Sequence, residues 1–357
     1  MRPIVIAHRG ASGYRPEHTL AAYGLAIEQG ADFIEPDLVP TRDGVLVARH
    51  ENELSGSTDV SAHPEFADRR CRKRIDGIER EGWFCEDFVL SELRTLRACE
   101  PLPALRPGNA AYDGQFGIPT LAEILQLVRE AQAQGRAVGI YPETKHPTWF
   151  AHEGRHCDGA PIARSTGAML VAQLVAEGFT DPQRVFIQSF ELANLIELKR
   201  ELMPAAGVDF PLVQLLGDLA HAAPYDVAWH AARGDDLGRI YGALRELAMG
   251  SPGSGVRYVD LVTPAGLAGL RRSHACALGP SKADLTGEGA APGSPPPWFA
   301  HALAAGLQVH PYTLRAELDA QRELPRLMAL GVHGFFIDQP DVGVALRNAF
   351  VAGSAGA

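Results

Sequence analysis

Cysteine is scarce in this chain: five residues in 357, with no CxxC spacing among them. An odd, scattered set (Cys71, Cys85, Cys99, Cys157, Cys276) excludes a disulfide framework, and leaves room for one bridge among Cys71, Cys85 and Cys99. No apolar run reaches 18 residues, so no transmembrane segment is expected. No signal peptide is visible, because the first apolar run begins almost at Met1. As written, the chain is expected to be cytoplasmic; a removed leader would make it periplasmic or secreted. Positive charge is in deficit, with 33 Lys and Arg against 43 Asp and Glu and a net charge of −10. That balance argues against a nucleic-acid partner or an anionic membrane, since both want a basic face. An anionic substrate would then need a local positive site.

Apolar residues are plentiful, at 46%, enough for a large core. They alternate between short runs and helix-period segments. Strand-like runs fall at 4–7, 33–38, 138–141, 185–188, 211–215, 258–262, 307–311 and 334–337. Helical patterns fall at 20–29, 120–134, 167–177, 191–202, 235–248, 298–305, 314–330 and 342–351. Thr120 and Glu123 form a candidate capping box. Eight strands alternating with helices predict an α/β fold, a (β/α)8 TIM barrel in one domain over 1–357, whose site lies at the C-terminal strand ends. Residues 51–118 break the rhythm with polar, charged sequence. They read as a small insertion after the second barrel strand, one that the barrel could lose and still fold. Residues 279–297, rich in Gly, Pro and Ser, read as a long loop.

The chemistry-bearing residues collect at those strand ends. His8 and Arg9 follow the first run. Glu35 and Asp37 stand two apart on the second, so their carboxylates face the same way. A short run at 45–48 leads to His50. Two histidines, an arginine and two same-facing carboxylates suit metal-assisted chemistry on a phosphate. The segment KHPTWFAHEGRHC brings His146, His152, His156 and Cys157 close in sequence but lacks zinc spacing, and is expected to be a surface loop. GSPGSG at 250–255 reads as a turn, and the basic run at 69–74 as a solvated face.

The motifs HRGASGYRPEHT (8–19), IEPDLVPTRDG (34–44), VARH ending at His50, YPETKHP (141–147), FIQSFE (186–191), HPYT (310–313) and FIDQPD (336–341) resemble the glycerophosphodiester phosphodiesterase family. The form of YPETKHP and the long insertion look most like its bacterial branch acting on soluble glycerophosphodiesters. The resemblance implies a (β/α)8 barrel that cleaves a small-molecule glycerophosphodiester to glycerol 3-phosphate and an alcohol. It implies one divalent cation on Glu35, Asp37 and Glu143. Three carboxylates without a thiol favour Ca²⁺ or Mg²⁺ over zinc. It implies His8 and His50 as the acid–base pair, and Arg9 and Lys145 as phosphate contacts. Glu17 is a candidate partner of Arg9 or a first-turn helix residue. Gln188, Ser189, Phe190 and Asp338 are weaker candidates for contact with glycerol or its head group. A phospholipase D-like lipid phosphodiesterase on the same barrel is the alternative; it would want an apolar loop surface where this insertion is charged.

Overall fold

The structure, a computed structural model, describes residues 2–246, 256–286 and 294–355. Strand β1 (Ile4–His8) lies between β2 (Phe33–Glu35) and the last strand, β13 (Gly334–Ile337), parallel to both. The expected second strand is split by a proline, and the third, expected to end at Tyr141, continues past one. Proline has no N–H for the ladder. Pro36 separates β2 from β3 (Asp37–Pro40), and Pro142 separates β7 (Gly139–Ile140) from β8 (Glu143–Thr144). The register survives the breaks: Tyr141 N donates to Ile34 O at 2.8 Å, and Glu143 N to Pro36 O at 2.9 Å. Strands β9 (Ile187–Ser189), β10 (Leu212–Leu215), β11 (Ala275–Gly279) and β12 (Gln308–Val309) continue in parallel. His333 N to Val309 O and Phe336 N to Pro311 O, both 3.0 Å, close β13 onto the seventh barrel strand. The result is the expected (β/α)8 barrel.

The sixth strand is not where the sequence suggests. Residues 258–262 fold as a helix, Tyr258–Leu261. Tyr258, Leu261 and Val262 are buried, which is an i, i+3, i+4 stripe, and Arg257 N donates to Asp260 Oδ2 at 2.9 Å at its start. The true sixth strand is β11, whose ACALG carries no β-branched residue and so gives little strand signal. The helix expected at 314–330 begins late, at Ala320–Leu330, because Leu314 is engaged with β13: its N–H donates to Phe336 O at 2.9 Å. The 120–134 helix is Leu121–Ala133, with the Thr120–Glu123 capping box in place. The end of the 235–248 helix, the 250–255 turn and part of the 279–297 loop lie outside the described residues.

Residues 51–118 contain a hairpin, β5 (Cys71–Ile75) and β6 (Ile78–Gly82). The preceding run at 45–48 forms β4 (Leu46–Ala48), antiparallel to β3. Leu54, Val60, Phe66, Phe84, Phe88, Leu93 and Leu96 share one buried cluster with Val39, Val47, Trp149, Phe150 and Ile162 of the barrel. The segment is therefore packed into the barrel's flank rather than set apart from it: its loss would open an apolar face on β3 and β4. The disulfide also differs from expectation. Cys71 pairs with Cys157, while Cys85 and Cys99 are free. The bridge ties β5 to the turn that follows Trp149–Glu153. Trp149 and Phe150 are buried, so the KHPTWFAHEGRHC segment is packed rather than a loose loop. The Lys73 side chain, in the basic run, is likewise enclosed, between Glu86 and Asp87. Among the described residues, no helix is long and apolar enough to cross a membrane.

Candidate active site

A strand's side chains alternate, so residues two apart share a face. Inside the barrel, Ile6, Phe33, Tyr141 and Phe336, with Phe186 beside them, form an apolar layer. Two positions further along each of these strands come His8, Glu35, Glu143, Asp338 and Gln188. Two beyond Glu35 and Glu143 come Asp37 and Lys145. The strand period lifts the polar set onto the C-terminal rim, directly above the aromatic layer. A cleft of about 380 Å³ opens there, lined by His8, Arg9, Glu35, Asp37, His50, Glu143, Lys145, Gln188 and Phe190 among others.

The His8–Arg9–Gly10 turn is tightly built. Arg9 has φ 57° and Gly10 φ 85°. A Cβ on Gly10 would stand 2.7 Å from the Ala22 carbonyl carbon, so no other residue fits. The turn aims the Arg9 N–H at Glu35 Oε2, 2.8 Å away. Arg9 Nη1 donates to Glu17 Oε2 at 2.7 Å, and its Nε stands 3.5 Å from Asp37 Oδ2. Glu17 thus holds Arg9 from behind and does not line the cleft.

Glu35, Asp37 and Glu143 are all buried, and one carboxylate oxygen from each lies within 4.8 Å of the others. Gln188 Nε2 donates to Glu35 Oε1 at 3.0 Å. Lys145 Nζ stands 2.7 Å from Glu143 Oε1 and 3.3 Å from Asp37 Oδ1, and Asp37 Oδ1 is buried without a hydrogen-bond partner. Burial and the charges of Asp37 and Glu143 hold the Glu35 carboxyl well above the usual range. Burial likewise pushes Glu143 up to about 8, against the pull of Lys145. Burial would also raise Asp37, but Lys145 and the His18 hydrogen bond outweigh it and hold that carboxyl low. A divalent cation fits this set: three hard oxygen donors converge without a thiol, one oxygen is unsatisfied, and the crowding of negative charge would be relieved.

Both expected histidines reach the cleft. His8 Nδ1 lies 2.6 Å from Asp338 Oδ1. His50 Nδ1 lies 3.2 Å from Glu51 Oε1. Burial, with Arg9 next, lowers the His8 pKa despite Asp338. Burial, with Lys145 and Arg9, pulls His50 down to about 4. Asp338 is one step behind the cleft, not on it. Phe190 lines the cleft and meets the Tyr312 ring edge-on, centroids 6.1 Å apart. Ser189 turns the other way, its Oγ accepting from Glu191 N at 3.3 Å.

Three contributors escaped the sequence reading. His18, with φ 56°, is buried and bridges Tyr23 OH at 2.7 Å and Asp37 Oδ2 at 2.9 Å; its place in PEHT, beside Glu17, was the available signal. Arg315 and Arg106 both bond Asp338 Oδ2, and no motif marks either. Glu191, beyond β9, stays outside the cleft. Its Oε2 accepts from Thr148 N at 2.9 Å while Oε1 is buried without a partner.

Burial, then Asp226 and Asp76, raise the Glu191 carboxyl well above its ordinary value. A carboxyl raised on folding favours the folded state at low pH and loses that stability as pH rises toward the folded value. Glu191→Gln keeps an acceptor for Thr148 and removes the charge. It should therefore raise the Tm by roughly 2–4 °C at pH 8 and by less at pH 5. Thermal melts at the two pH values check this; an equal or reversed effect would mean that Glu191 is ionised without cost.

Comparison with known proteins places the chain in a family. The pattern of the glycerophosphoryl diester phosphodiesterase family matches residues 8–342. A glycerophosphodiester phosphodiesterase of Arabidopsis thaliana is 31% identical over 325 residues, covering 88% of this chain and 75% of that one. One from Haemophilus influenzae is 30% identical over 96% of this chain and 88% of its own. In fold, the chain is similar to an Oleispira antarctica phosphodiesterase solved with the product sn-glycerol-3-phosphate. The TM-score is 0.56 at 19% identity, covering 97% of each chain. With a match that takes in every rim residue from His8 to Asp338, this chain belongs to the glycerophosphoryl diester phosphodiesterase family.

Proposed function

We propose that the chain hydrolyses soluble glycerophosphodiesters to glycerol 3-phosphate and an alcohol, with a divalent cation, Ca²⁺ or Mg²⁺, held by Glu35, Asp37 and Glu143. The observation that carries this is the convergence of those carboxylates with His8 and His50 on one cleft, in a chain of this family. When bound, the cation would offset negative charge on the phosphate. Arg9 and Lys145, fixed by Glu17, Asp37 and Glu143, would contact the phosphate oxygens and orient the ester. Asp338 and Glu51 accept from the Nδ1 atoms of His8 and His50, which leaves each Nε2 for the substrate. One neutral imidazole takes the proton of the attacking hydroxyl, and the other gives one to the leaving alkoxide from its minor imidazolium form, which the lowered pKa of both rings makes strongly acidic. Gln188 orients Glu35, and Phe190 supplies an apolar wall for the glycerol carbons.

Turnover of glycerophosphocholine and of lysophosphatidylcholine, read as released glycerol 3-phosphate and lysophosphatidic acid, tests the reading. Rapid release from the first and little from the second is expected. Arg70, Arg72, Arg74, Glu79, Arg80 and Glu81 are exposed along the β5–β6 hairpin, with Ile78 the one exposed large apolar side chain among them, so a lipid would meet a mostly charged surface. Preference for the lysolipid would establish the phospholipase D-like alternative instead.

A further inference from the structure

The two cleft imidazoles are held through carboxylates, and both lines of support lead back to residues 51–118. The first runs from Arg106. Its side chain is only 4% exposed and bonds Asp338 Oδ2, while Asp338 Oδ1 takes His8 Nδ1 at 2.6 Å. Arg106 Nη1 also donates to Ser12 O at 3.0 Å, and Asn109 Nδ2 to the same oxygen at 2.9 Å. Ser12 Oγ in turn donates to His8 O at 2.8 Å. Backbone and ring of His8 are thus both tied to one stretch of the insertion.

The second line runs from Asp76, at the tip of the β5–β6 hairpin with φ 47°. Its Oδ2 meets His146 Nδ1 at 2.6 Å. His146 Nε2 faces Glu51 Oε2 at an ion-pair distance of 3.8 Å, and Glu51 Oε1 faces His50 Nδ1 at 3.2 Å. The hairpin is itself anchored by Trp149 Nε1, which donates to Arg74 O at 2.8 Å, and by the Cys71–Cys157 bridge. An imidazole on a rim loop turns about two bonds unless its far nitrogen is fixed, and catalysis needs its near nitrogen within a fraction of an ångström.

We propose that the 51–118 segment is a working part of the acid–base apparatus: Arg106 positions His8 through Asp338, and Asp76 positions His50 through His146 and Glu51. This rests on the acid–base reading given above. Arg106, Asp338, Asp76, His146 and Glu51 are positioning residues, and none needs to touch substrate.

The test is a set of double-variant cycles on the full, metal-loaded chain with glycerophosphocholine. Arg106→Ala and Asp76→Asn should each lower kcat by about 10- to 100-fold with little change in KM. In a His8→Ala background, Arg106→Ala should add no further loss, yet it should keep its full effect in a His50→Ala background. Asp76→Asn should show the mirror pattern. Equal, additive losses in both backgrounds would reduce the segment to general structural support and overturn the proposal. Imidazole ¹⁵N resonances provide a readout independent of turnover. Arg106→Ala, or Arg106→Lys should the alanine variant not fold, should move the His8 signals and leave those of His50. Unmoved His8 signals would also overturn it. Full activity in His8→Ala and His50→Ala would instead sink the acid–base reading itself.

Discussion

Excess EDTA should bring glycerophosphocholine hydrolysis to background, and Ca²⁺ or Mg²⁺ should restore it. The expectation comes from the charge balance of the rim. Three buried carboxylates each place an oxygen within 4.8 Å of the others, with Lys145 the ammonium set between Asp37 and Glu143. Without a cation, burial and crowding push Glu35 and Glu143 toward the protonated form, where they cannot ligate. A Lewis acid at phosphate contributes several kcal/mol, and about 1.4 kcal/mol is tenfold in rate. Asp37→Asn and Glu143→Gln should therefore each cost roughly 10³-fold or more, beyond what added Mg²⁺ recovers. Full turnover in chelator would remove the ion from the reaction. Rescue by Zn²⁺ with none by Ca²⁺ or Mg²⁺ would contradict the all-oxygen donor set.

His8→Ala and His50→Ala should each lower kcat by about 10²-fold or more while the protein melts near the parent temperature. Neither ring anchors a core: both stand at the cleft, held from behind by a carboxylate. The two losses should separate with leaving group. For an ester whose alcohol leaves readily without protonation, such as a p-nitrophenyl phosphodiester of glycerol, the variant lacking the general acid recovers most of its activity and the variant lacking the base does not. The pattern assigns the two roles. Recovery of neither would place both rings in base chemistry or orientation, and near-parental activity of His50→Ala would take His50 out of the mechanism.

What the sequence made legible follows from period and motif. Strand alternation puts Glu35 and Asp37 on one face, and the same alternation carries Ile6 to His8 and Tyr141 to Glu143 to Lys145. A reader of the sequence needs no coordinates for that step. Pro36, between Glu35 and Asp37, lay inside a run read as one strand, and Pro142 lay just past a run that was expected to end at Tyr141, so neither was read as an interruption. The strand Ala275–Gly279 was missed since alanine, cysteine and glycine carry no β-branch, while the run at 258–262, whose Tyr258–Leu261 is helical, borrowed the look of a strand from two valines and a tyrosine. Arg106 and Asp76 were invisible for a different reason. Each acts on a partner 70 or more positions away, from a segment with neither helical nor strand period, so nothing local distinguishes them from solvated charges.

One further consequence concerns how the enzyme comes to exist. β1 pairs with β13, joining Ile4 to Gly334 and Ala7 to Ile337, and the His8–Asp338 contact sits at the end of that same seam. During synthesis the first strand emerges with one edge open and stays so until nearly the whole polypeptide has left the ribosome. The nascent chain must keep Val5, Ile6 and Ala7 from pairing with neighbours for that entire interval, and His8 meets Asp338 only when the last strand arrives. A chain that stops short of β13 therefore leaves the Ile4–Ala7 edge unpaired and His8 without its carboxylate partner.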